Sequence, residues 1–455
     1  MMVCALSGGL LAACAGTADD LGGTSYDGGA ASTLTASDAT ALHDAVKQVN
    51  DVIVYDIFSP PQASRVYAYA SIAAYEVLRQ GDTTYRTLAG QVNALTPVPT
   101  RDTSLAISIP LAGVHAYMVV GHALTFSQAR MDTLRAAMDA QMRGAMSAAV
   151  FTRSIAYGDT VARHILAWAG KDGFKQRTGL SKYSVLRTLG RWIPTPPAYM
   201  DAVEPNWGTL RPFTMDSASQ FKPEPPFPFD TTKKSAFWKQ MVEVQTVGKG
   251  LTGEQRAIAA FWDCNPFVMH VQGHTMFAIK KMSPGGHWMG IVALASRKTN
   301  ADMLRASEAY VRTALALGDG FLSVWSEKYR SNMIRPETMI NTYLDESWQP
   351  LLQTPPFPEY TSGHSAISTA SAVVLTQLFG DNFAFADSTE MEYGLPVRSY
   401  SSFEAAAREA AISRLYGGIH YRRAIEQGQV QGRKVGEHLL AKVITRVPVS
   451  VAAAQ

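Results

Sequence analysis

Apolar positions along the chain recur every three or four residues, the spacing that places them on one face of an α-helix. The first such stretch begins near residue 38, and Pro60-Pro61 are expected to end it before a second helix begins near Val66. Further helical patterns cover residues 104–124, 126–148, 149–170, 236–247, 252–264, 299–320, 321–334, 363–379, 403–416 and 423–444. Strand-like alternation is scarce, so the pattern predicts an all-α fold of two helical bundle halves.

Proline marks the boundary between the two predicted halves. Residues 191–228 hold nine of the 23 prolines together with Trp192 and Trp207, which predicts a long ordered loop packed by aromatic rings. The predicted segments are a flexible Gly/Ser/Thr-rich linker at 15–37, an N-terminal helical half at 38–190, a Pro-rich connecting loop at 191–235 and a C-terminal helical catalytic half at 236–445.

The first residues of the chain resemble an export signal in part. Residues 3–13 form an apolar run too short to span a membrane and typical of a secretory signal. Leu11-Ala12-Ala13-Cys14 resembles a bacterial lipobox, in which Cys14 is lipidated after cleavage. No Lys or Arg precedes Lys47, so the positive start of a signal is missing, and a disordered tail is the alternative. We expect residues 1–14 to be a lipoprotein signal peptide of a periplasmic or secreted bacterial envelope protein, with Cys14 as its only link to a membrane.

Composition excludes several classes of protein. Hydrophobic residues make up 47% of the 455 residues, charged residues 17%, and the net charge is +3. A chain of this balance is not a disordered polyelectrolyte, and it lacks the basic footprint of a nucleic-acid-binding protein. Its three cysteines, at positions 4, 14 and 264, exclude a disulfide framework.

Three segments of the C-terminal half offer groups suited to a tetrahedral oxyanion. In the first, Lys328 and Arg335 are seven residues apart, and we expect them on one helix face. In the second, Ser362 and Gly363 open a predicted helix whose first N–H groups are free to bind an anion, with His364 in its first turn. Taken alone, each segment also reads as a solvated face or an ordinary capped helix.

The third segment ends in a predicted bend. Arg414 and His420 are six residues apart, so a continuous helix would not place them on one face. Gly417-Gly418 breaks that helix, and we expect the break to turn both side chains inward. A neutral imidazole at such a bend can act as a nucleophile or as a ligand of a metal oxide.

The order of these motifs is far more specific than any one of them. Lys-x6-Arg-Pro, then Ser-Gly-His, then Ser-Arg-x5-His resembles the signature of the vanadium-dependent haloperoxidases and the type 2 phosphatidic-acid phosphatases that share their fold. Trp325, three residues before Lys328, and Phe357, seven before His364, resemble the chloroperoxidase-type members. The Pro-rich approach to Ser-Gly-His is similar to the bacterial haloperoxidase-like branch.

The resemblance implies a role for each residue. Lys328, Arg335 and Arg414 would neutralise vanadate, with Ser362 and the Gly363 N–H as further donors. His420 would bind vanadium, His364 would be the acid–base group, and Lys328 would polarise bound peroxide. Trp325 and Phe357 are the candidates for the halide site. The implied activity is oxidation of halide by hydrogen peroxide with vanadate as cofactor and a small organic acceptor, while halide preference and oligomeric state stay open.

Two other functions remain open at this point. The same pocket accepts phosphate, and an acid phosphatase would form a phosphohistidine at His420 and use His364 to protonate the leaving group. Ala424 stands where an Asp usually follows the third-motif His by four residues and orients its ring, so a non-catalytic oxyanion-binding envelope lipoprotein is the second alternative. We expect Glu426 to supply the missing carboxylate. Thr361 replaces the usual Pro before Ser-Gly-His, a milder departure.

A second group of polar residues lies upstream. Cys264, His270, His274 and His287 fall within 24 residues, and a helix would place His270 and His274 on one face, as some zinc sites do. The spacings fit no standard zinc module, so we favour lining of the pocket mouth or packing in the core. We expect Asp263 to pair with Arg414.

Overall fold

The computed structural model describes residues 36–272 and 274–447. Within these ranges, the α-helices are α1 (Thr40–Tyr55), α2 (Pro60–Leu78), α3 (Ile109–Leu124), α4 (Gln128–Arg143), α5 (Ala148–Ala169), α6 (Ala236–Lys249), α7 (Gly253–Phe261), α8 (Pro284–Lys298), α9 (Met303–Ser331), α10 (Pro336–Tyr343), α11 (Gly363–Phe379), α12 (Phe403–Tyr416) and α13 (Arg422–Lys442). Two short antiparallel hairpins pair β1 (Val268–Gln272) with β2 (Thr275–Ile279) and β3 (Phe385–Asp387) with β4 (Arg398–Tyr400). The all-α prediction is confirmed. The predicted signal, Cys14 and nearly all of the predicted linker lie outside the described residues.

Several helix boundaries differ from the sequence pattern. Pro60 begins α2 instead of only ending α1, because Ser59 caps the helix and proline is favoured in a first turn, where its missing N–H costs nothing. The two helices expected at 299–320 and 321–334 are the single helix α9. Helices α8 and α10 begin at prolines and were not predicted.

Helix α9 lies at the centre of the fold. Its side chains are buried over nearly its whole length, and it packs against α2, α8 and α11. One hydrophobic core joins residues from both predicted halves, including Ala70, Val161, Leu317 and Ile367. The boundaries drawn between the halves stay a prediction. None of the helices in the described part of the chain is long and apolar enough to cross a membrane.

The long connection between α5 and α6 is fastened to α9 by a buried carboxylate. Asp319 accepts hydrogen bonds from the backbone N–H groups of Phe213, Thr214 and Met215, at 2.7, 2.8 and 3.3 Å. The rings of Trp192 and Trp207 are buried in the same connection. This loop is therefore a packed part of the fold.

Glycines on α13 set its distance from α11, the helix that presents Ser362–His364. A Cβ on Gly432 would lie 2.0 Å from the Ala366 carbonyl oxygen, and one on Gly428 would lie 2.7 Å from the Ser362 carbonyl oxygen. These contacts leave no room for a methyl group. The two helices therefore pack with their backbones in close approach.

We expect Gly432→Ala to destabilise the protein by about 1–3 kcal/mol or more, because the added methyl group must push α13 away from α11. Thermal unfolding of the purified variant measures this as a lower midpoint. Gly253→Ala is the matched control, since a Cβ there meets nothing within 4 Å, and we expect its effect to stay within about 0.5 kcal/mol. Equal midpoints for the two variants would contradict the close approach.

Candidate active site

The first motif is divided by the end of α9. The helix stops at Ser331, and Asn332 adopts the left-handed conformation with φ 48°, which asparagine tolerates better than most residues. Arg335 lies beyond this stop, immediately before Pro336 opens α10. The prediction that Lys328 and Arg335 share a helix face is therefore wrong, although both side chains are fully buried and belong to one cationic cluster.

The second motif opens a helix at the predicted residue. Ser362 caps α11, its hydroxyl oxygen accepting a hydrogen bond from the Ser365 N–H at 3.3 Å. The Ser362 N–H donates to the carbonyl oxygen of Ala424 at 3.0 Å, which ties this end of α11 to α13. Gly363 and His364 form the first turn, where helix N–H groups point outward and favour an anion.

The third motif bends as predicted. Helix α12 ends at Tyr416, and Gly418 has φ +76°, a conformation that favours glycine. A Cβ on Gly418 would lie 3.1 Å from side-chain atoms of both Trp348 and Pro350, so the space also favours glycine. The bend brings Arg414 and His420 to the wall of one cavity.

That cavity has a volume of about 40 Å³, whereas one water molecule needs roughly 10–15 Å³. It suits a small guest. The predicted site residues on its wall are Trp325, Phe357, Gly363, His364, Arg414, His420 and Asp263. Lys328, Arg335 and Ser362 are not on this wall, but the Arg335 Nη1 lies 3.3 Å from the Nε2 of His420, which is.

His420 is oriented by a carboxylate that the sequence analysis did not assign. Its Nδ1 lies 2.7 Å from Oε1 of Glu359, and the same oxygen accepts a hydrogen bond from the Tyr421 N–H at 3.0 Å. Glu426 is exposed on α13, so the prediction that it replaces the missing Asp is wrong. Glu359 lies in the Pro-rich loop before α11. It orients the His420 ring, the role expected of a carboxylate at position 424.

The electrostatics keep the His420 ring neutral. Burial lowers the pKa of His420 well below its usual value, and the charges of Arg335, Lys328 and Arg414 lower it further. Burial raises the pKa of Glu359 to about 7 against the opposing charges of Arg335 and Lys328. An N–H at Nδ1 that donates to Glu359 leaves Nε2 unprotonated. Nε2 then accepts a hydrogen bond from Arg335 Nη1 at 3.3 Å, which a ligand at this nitrogen would replace.

Lys328 makes contacts that the motif did not reveal. Its ammonium donates to the carbonyl oxygens of Pro358, Glu359 and Thr361, at 3.0, 3.0 and 2.6 Å. All three N–H groups are thus directed at the loop that precedes α11. Lys328 thus fixes the loop that carries Glu359, while burial and the charge of Arg335 lower the pKa of Lys328 well below its usual value. Direct contact with an anion would require one of these hydrogen bonds to be exchanged.

The two arginines are held by backbone and side-chain oxygens. Arg335 donates from Nε to the Phe357 carbonyl and from Nη1 to the Ile419 carbonyl, both at 2.9 Å, while its buried Nη2 has no partner among the described residues. Arg414 donates from Nη2 to the Trp262 carbonyl at 2.5 Å and from Nε to the Ser413 hydroxyl oxygen at 2.9 Å. The unpartnered Arg335 donor, buried beside His420, suits an anionic guest.

Asp263 does not form the predicted ion pair with Arg414. Its carboxylate lies 2.6 Å from the Lys281 ammonium, while the Arg414 guanidinium donates to the Trp262 carbonyl and the Ser413 hydroxyl oxygen instead. Burial lowers the pKa of Arg414, and the charge of Asp263 partly opposes this shift. Asp263 therefore acts on Arg414 through space.

His364 borders the cavity as a neutral imidazole. It lines the cavity, and its buried Nε2 has no hydrogen-bond partner. Burial lowers the pKa of His364 well below the usual value, and the charges of Arg414 and His287 act in the same direction. A neutral, unpartnered imidazole nitrogen at the cavity wall is suited to acid–base chemistry.

Aromatic rings form the apolar part of the wall. The rings of Trp325 and Phe357 lie 4.9 Å apart, and Phe321 packs against Trp325 at 5.5 Å. The Trp325 indole N–H donates to the Val203 carbonyl at 3.2 Å, so the connecting loop fixes this ring. Both predicted halide-site residues therefore border the cavity.

The predicted helix face bearing His270 and His274 does not exist. His270 lies on β1 and His274 in the turn that follows, and both are exposed. The β-branched and aromatic residues of this segment favour a hairpin over a helix. Cys264 and His287 are instead buried together beside the cavity.

Comparisons with known proteins agree with this geometry. Residues 341–447 match the family model described as the VCPO second helical-bundle domain. No curated protein sequence matches the chain. The first bacterial vanadium-dependent iodoperoxidase to be solved is 48% identical, with a TM-score of 0.85, and the match covers 90% of this chain and 97% of that one.

More distant structures share the fold. The holo form of a bacterial vanadium-dependent chloroperoxidase is 17% identical with a TM-score of 0.64, covering 85% of this chain and 94% of its own. The apo form is also 17% identical, with a TM-score of 0.63, and the match covers 83% of this chain and 93% of that one. The high identity to the iodoperoxidase over nearly its whole length settles the relationship, and this chain belongs to the family of bacterial vanadium-dependent haloperoxidases.

Proposed function

We propose that this protein holds vanadate at His420 and uses hydrogen peroxide to oxidise iodide to hypoiodous acid or its equivalent, which then iodinates a small organic acceptor. The observation that carries the proposal is the neutral His420 ring, oriented by Glu359 at 2.7 Å and surrounded by Lys328, Arg335 and Arg414. A lone pair in a cationic, water-poor cavity suits a multiply charged metal oxyanion. We propose iodide as the halide because the 48% identical relative is an iodoperoxidase.

The residues of the chain fit vanadate. The buried Arg335 Nη2 without a partner, the Arg414 guanidinium and the first turn of α11 would bind its oxygens, and His420 Nε2 would bind the metal. Bound vanadate supplies a Lewis-acidic centre that activates hydrogen peroxide for oxygen transfer to halide.

Side chains of the protein itself carry out the other steps. His364 would accept a proton at its unprotonated Nε2 from a guest in the cavity, and the imidazolium that forms would return it later. Trp325 and Phe357 keep bulk water from one side of the cavity and present polarisable rings to a large, weakly hydrated halide. The small volume excludes a bulky organic acceptor from the bottom of the cavity, so halogenation of that acceptor takes place at its mouth or in solution.

A comparison of four reactions tests this function. The vanadate-free protein is assayed with and without vanadate for peroxide-dependent oxidation of iodide, bromide and chloride, and for hydrolysis of an aryl phosphate. We expect vanadate-dependent oxidation that is fastest with iodide. Phosphate hydrolysis that vanadate inhibits, without halide oxidation, would support the phosphohistidine alternative, and the absence of all four activities would support an oxyanion-binding protein.

We also propose that Cys14 is lipidated and anchors the protein in the bacterial cell envelope. Leu11-Ala12-Ala13-Cys14 supports this proposal. Metabolic labelling with a fatty-acid analogue is expected to mark the wild-type protein and not Cys14→Ser. Label in both, or in neither, would contradict it.

A further inference from the structure

Three side chains of metal-binding type meet beside the oxyanion cavity. The Cys264 Sγ lies 3.4 Å from the His287 Nδ1 and 3.6 Å from the Glu390 Oε1, and that Nδ1 and Oε1 are 3.1 Å apart. Cys264 follows α7, His287 lies in the first turn of α8, and Glu390 follows β3. Three separate parts of the fold thus converge on one buried point.

The separations match those of a tetrahedral zinc site. Zinc bonds of about 2.3 Å to sulfur and roughly 2.0–2.2 Å to nitrogen and oxygen, at tetrahedral angles, place sulfur about 3.5–3.6 Å from the other two ligand atoms. The same bonds place nitrogen and oxygen about 3.3–3.4 Å apart. The three observed separations lie within about 0.3 Å of these values.

A carboxylate fixes the imidazole in the orientation that metal binding requires. The Asp387 Oδ2 lies 2.8 Å from the His287 Nε2, and the Asp387 Oδ1 accepts hydrogen bonds from the Thr389 N–H and hydroxyl at 3.0 and 2.6 Å. A proton on Nε2 leaves the Nδ1 lone pair facing both Sγ and Oε1. Carboxylates hold zinc-binding histidines in this way.

Packing immobilises the same ring. The Trp262 indole stacks on the His287 imidazole with centroids 4.5 Å apart and planes 14° apart. Ser283 caps α8 directly before this turn. Ligand atoms that rigid elements hold at bonding geometry bind a metal at low entropic cost.

We propose that Cys264, His287 and Glu390 bind one Zn²⁺ ion, with Asp387 as the positioning residue of the histidine ligand. Cys264 also lines the oxyanion cavity, and the Trp262 carbonyl holds Arg414. The ion would therefore stabilise one wall of that cavity. The proposal does not depend on the haloperoxidase function. The metal-free alternative is an imidazolium between two carboxylates, since the charge of Asp387 raises the pKa of His287 against the effect of burial.

Metal analysis of the full chain, purified without chelators, tests the site. We expect one zinc per chain by mass spectrometry of the metal content, and a thiolate-to-cobalt charge-transfer band after exchange with Co²⁺. The band should persist in Cys4→Ser/Cys14→Ser and vanish in Cys264→Ser, because only Cys264 belongs to the site. We expect Asp387→Asn to weaken Zn²⁺ binding by about 10–100-fold.

His270→Gln is the matched control, because it alters an exposed histidine of the nearby hairpin, and we expect it to retain full affinity. A folded wild-type chain that binds neither Zn²⁺ nor Co²⁺ would overturn the proposal, whether or not the Cys264 variant folds. Cobalt binding without a thiolate band would overturn it as well. Because this experiment measures bound metal, a negative result would overturn the zinc site without bearing on the proposed vanadate-dependent activity.

Discussion

Replacing His364 with alanine should lower kcat for iodide oxidation by about 10²–10⁴-fold, the usual contribution of a positioned acid–base group. Its Nε2 borders the cavity without a partner, and burial beside Arg414 keeps the ring neutral. Vanadate affinity should change little, because His420 and the three cations remain. Steady-state kinetics at saturating vanadate measures kcat, and equilibrium dialysis measures vanadate binding.

The matched control is His164→Ala, which removes a histidine of α5 that bonds Thr96 and does not line the cavity. We expect its kcat and vanadate affinity to equal those of the wild type. If His364→Ala kept full kcat, the proton-transfer role would be wrong. If it lost vanadate binding instead, His364 would be a binding residue.

Replacing Glu359 with glutamine should weaken vanadate binding by about 10–100-fold, as changes to groups that orient a metal ligand commonly do. Glutamine keeps the size of the side chain but removes the charge that fixes the proton on His420 Nδ1. It also removes a negative charge that acts on both Arg335 and Lys328. Equilibrium dialysis of vanadate against the variant gives the affinity directly.

Glu426→Gln separates this role from a general effect of charge. Glu426 is exposed on α13, so we expect wild-type affinity from its variant. Equal loss of affinity in both variants would contradict the assignment of Glu359. Thermal unfolding of both proteins, measured without vanadate, shows whether a loss reflects misfolding.

The helical fold was predictable because its signal is local. Helices α11 and α12 begin and end at the residues that the apolar pattern marks, since Ser362 and Ser402 cap them and Gly380 and Gly417 follow them. The division of α9 into two helices was wrong, because its glycines are packing positions. A Cβ on Gly318 would lie 2.6 Å from the Phe213 ring, a contact that only the folded chain reveals.

The site residues that lie in the three motifs were predictable from the sequence. The contacts that only the fold creates were not. The motif identified His420, while the carboxylate that orients it comes from Glu359, 61 residues earlier. The expected partner was Glu426, because the resemblance implies an Asp at position 424 and Glu426 is a nearby carboxylate. Glu359 lies in a loop that only the folded chain brings to His420. A glutamate directly between the Pro-rich run and Ser-Gly-His was the available signal. The partners of Lys328 were equally invisible, since they are backbone carbonyls.

A titration of the vanadate-free protein with vanadate tests most directly whether vanadate is the cofactor. Peroxide-dependent formation of triiodide from iodide is followed at each addition. We predict that activity rises from background and saturates at one vanadate per chain. Full activity without vanadate, or none at saturation in a folded protein, would contradict the account.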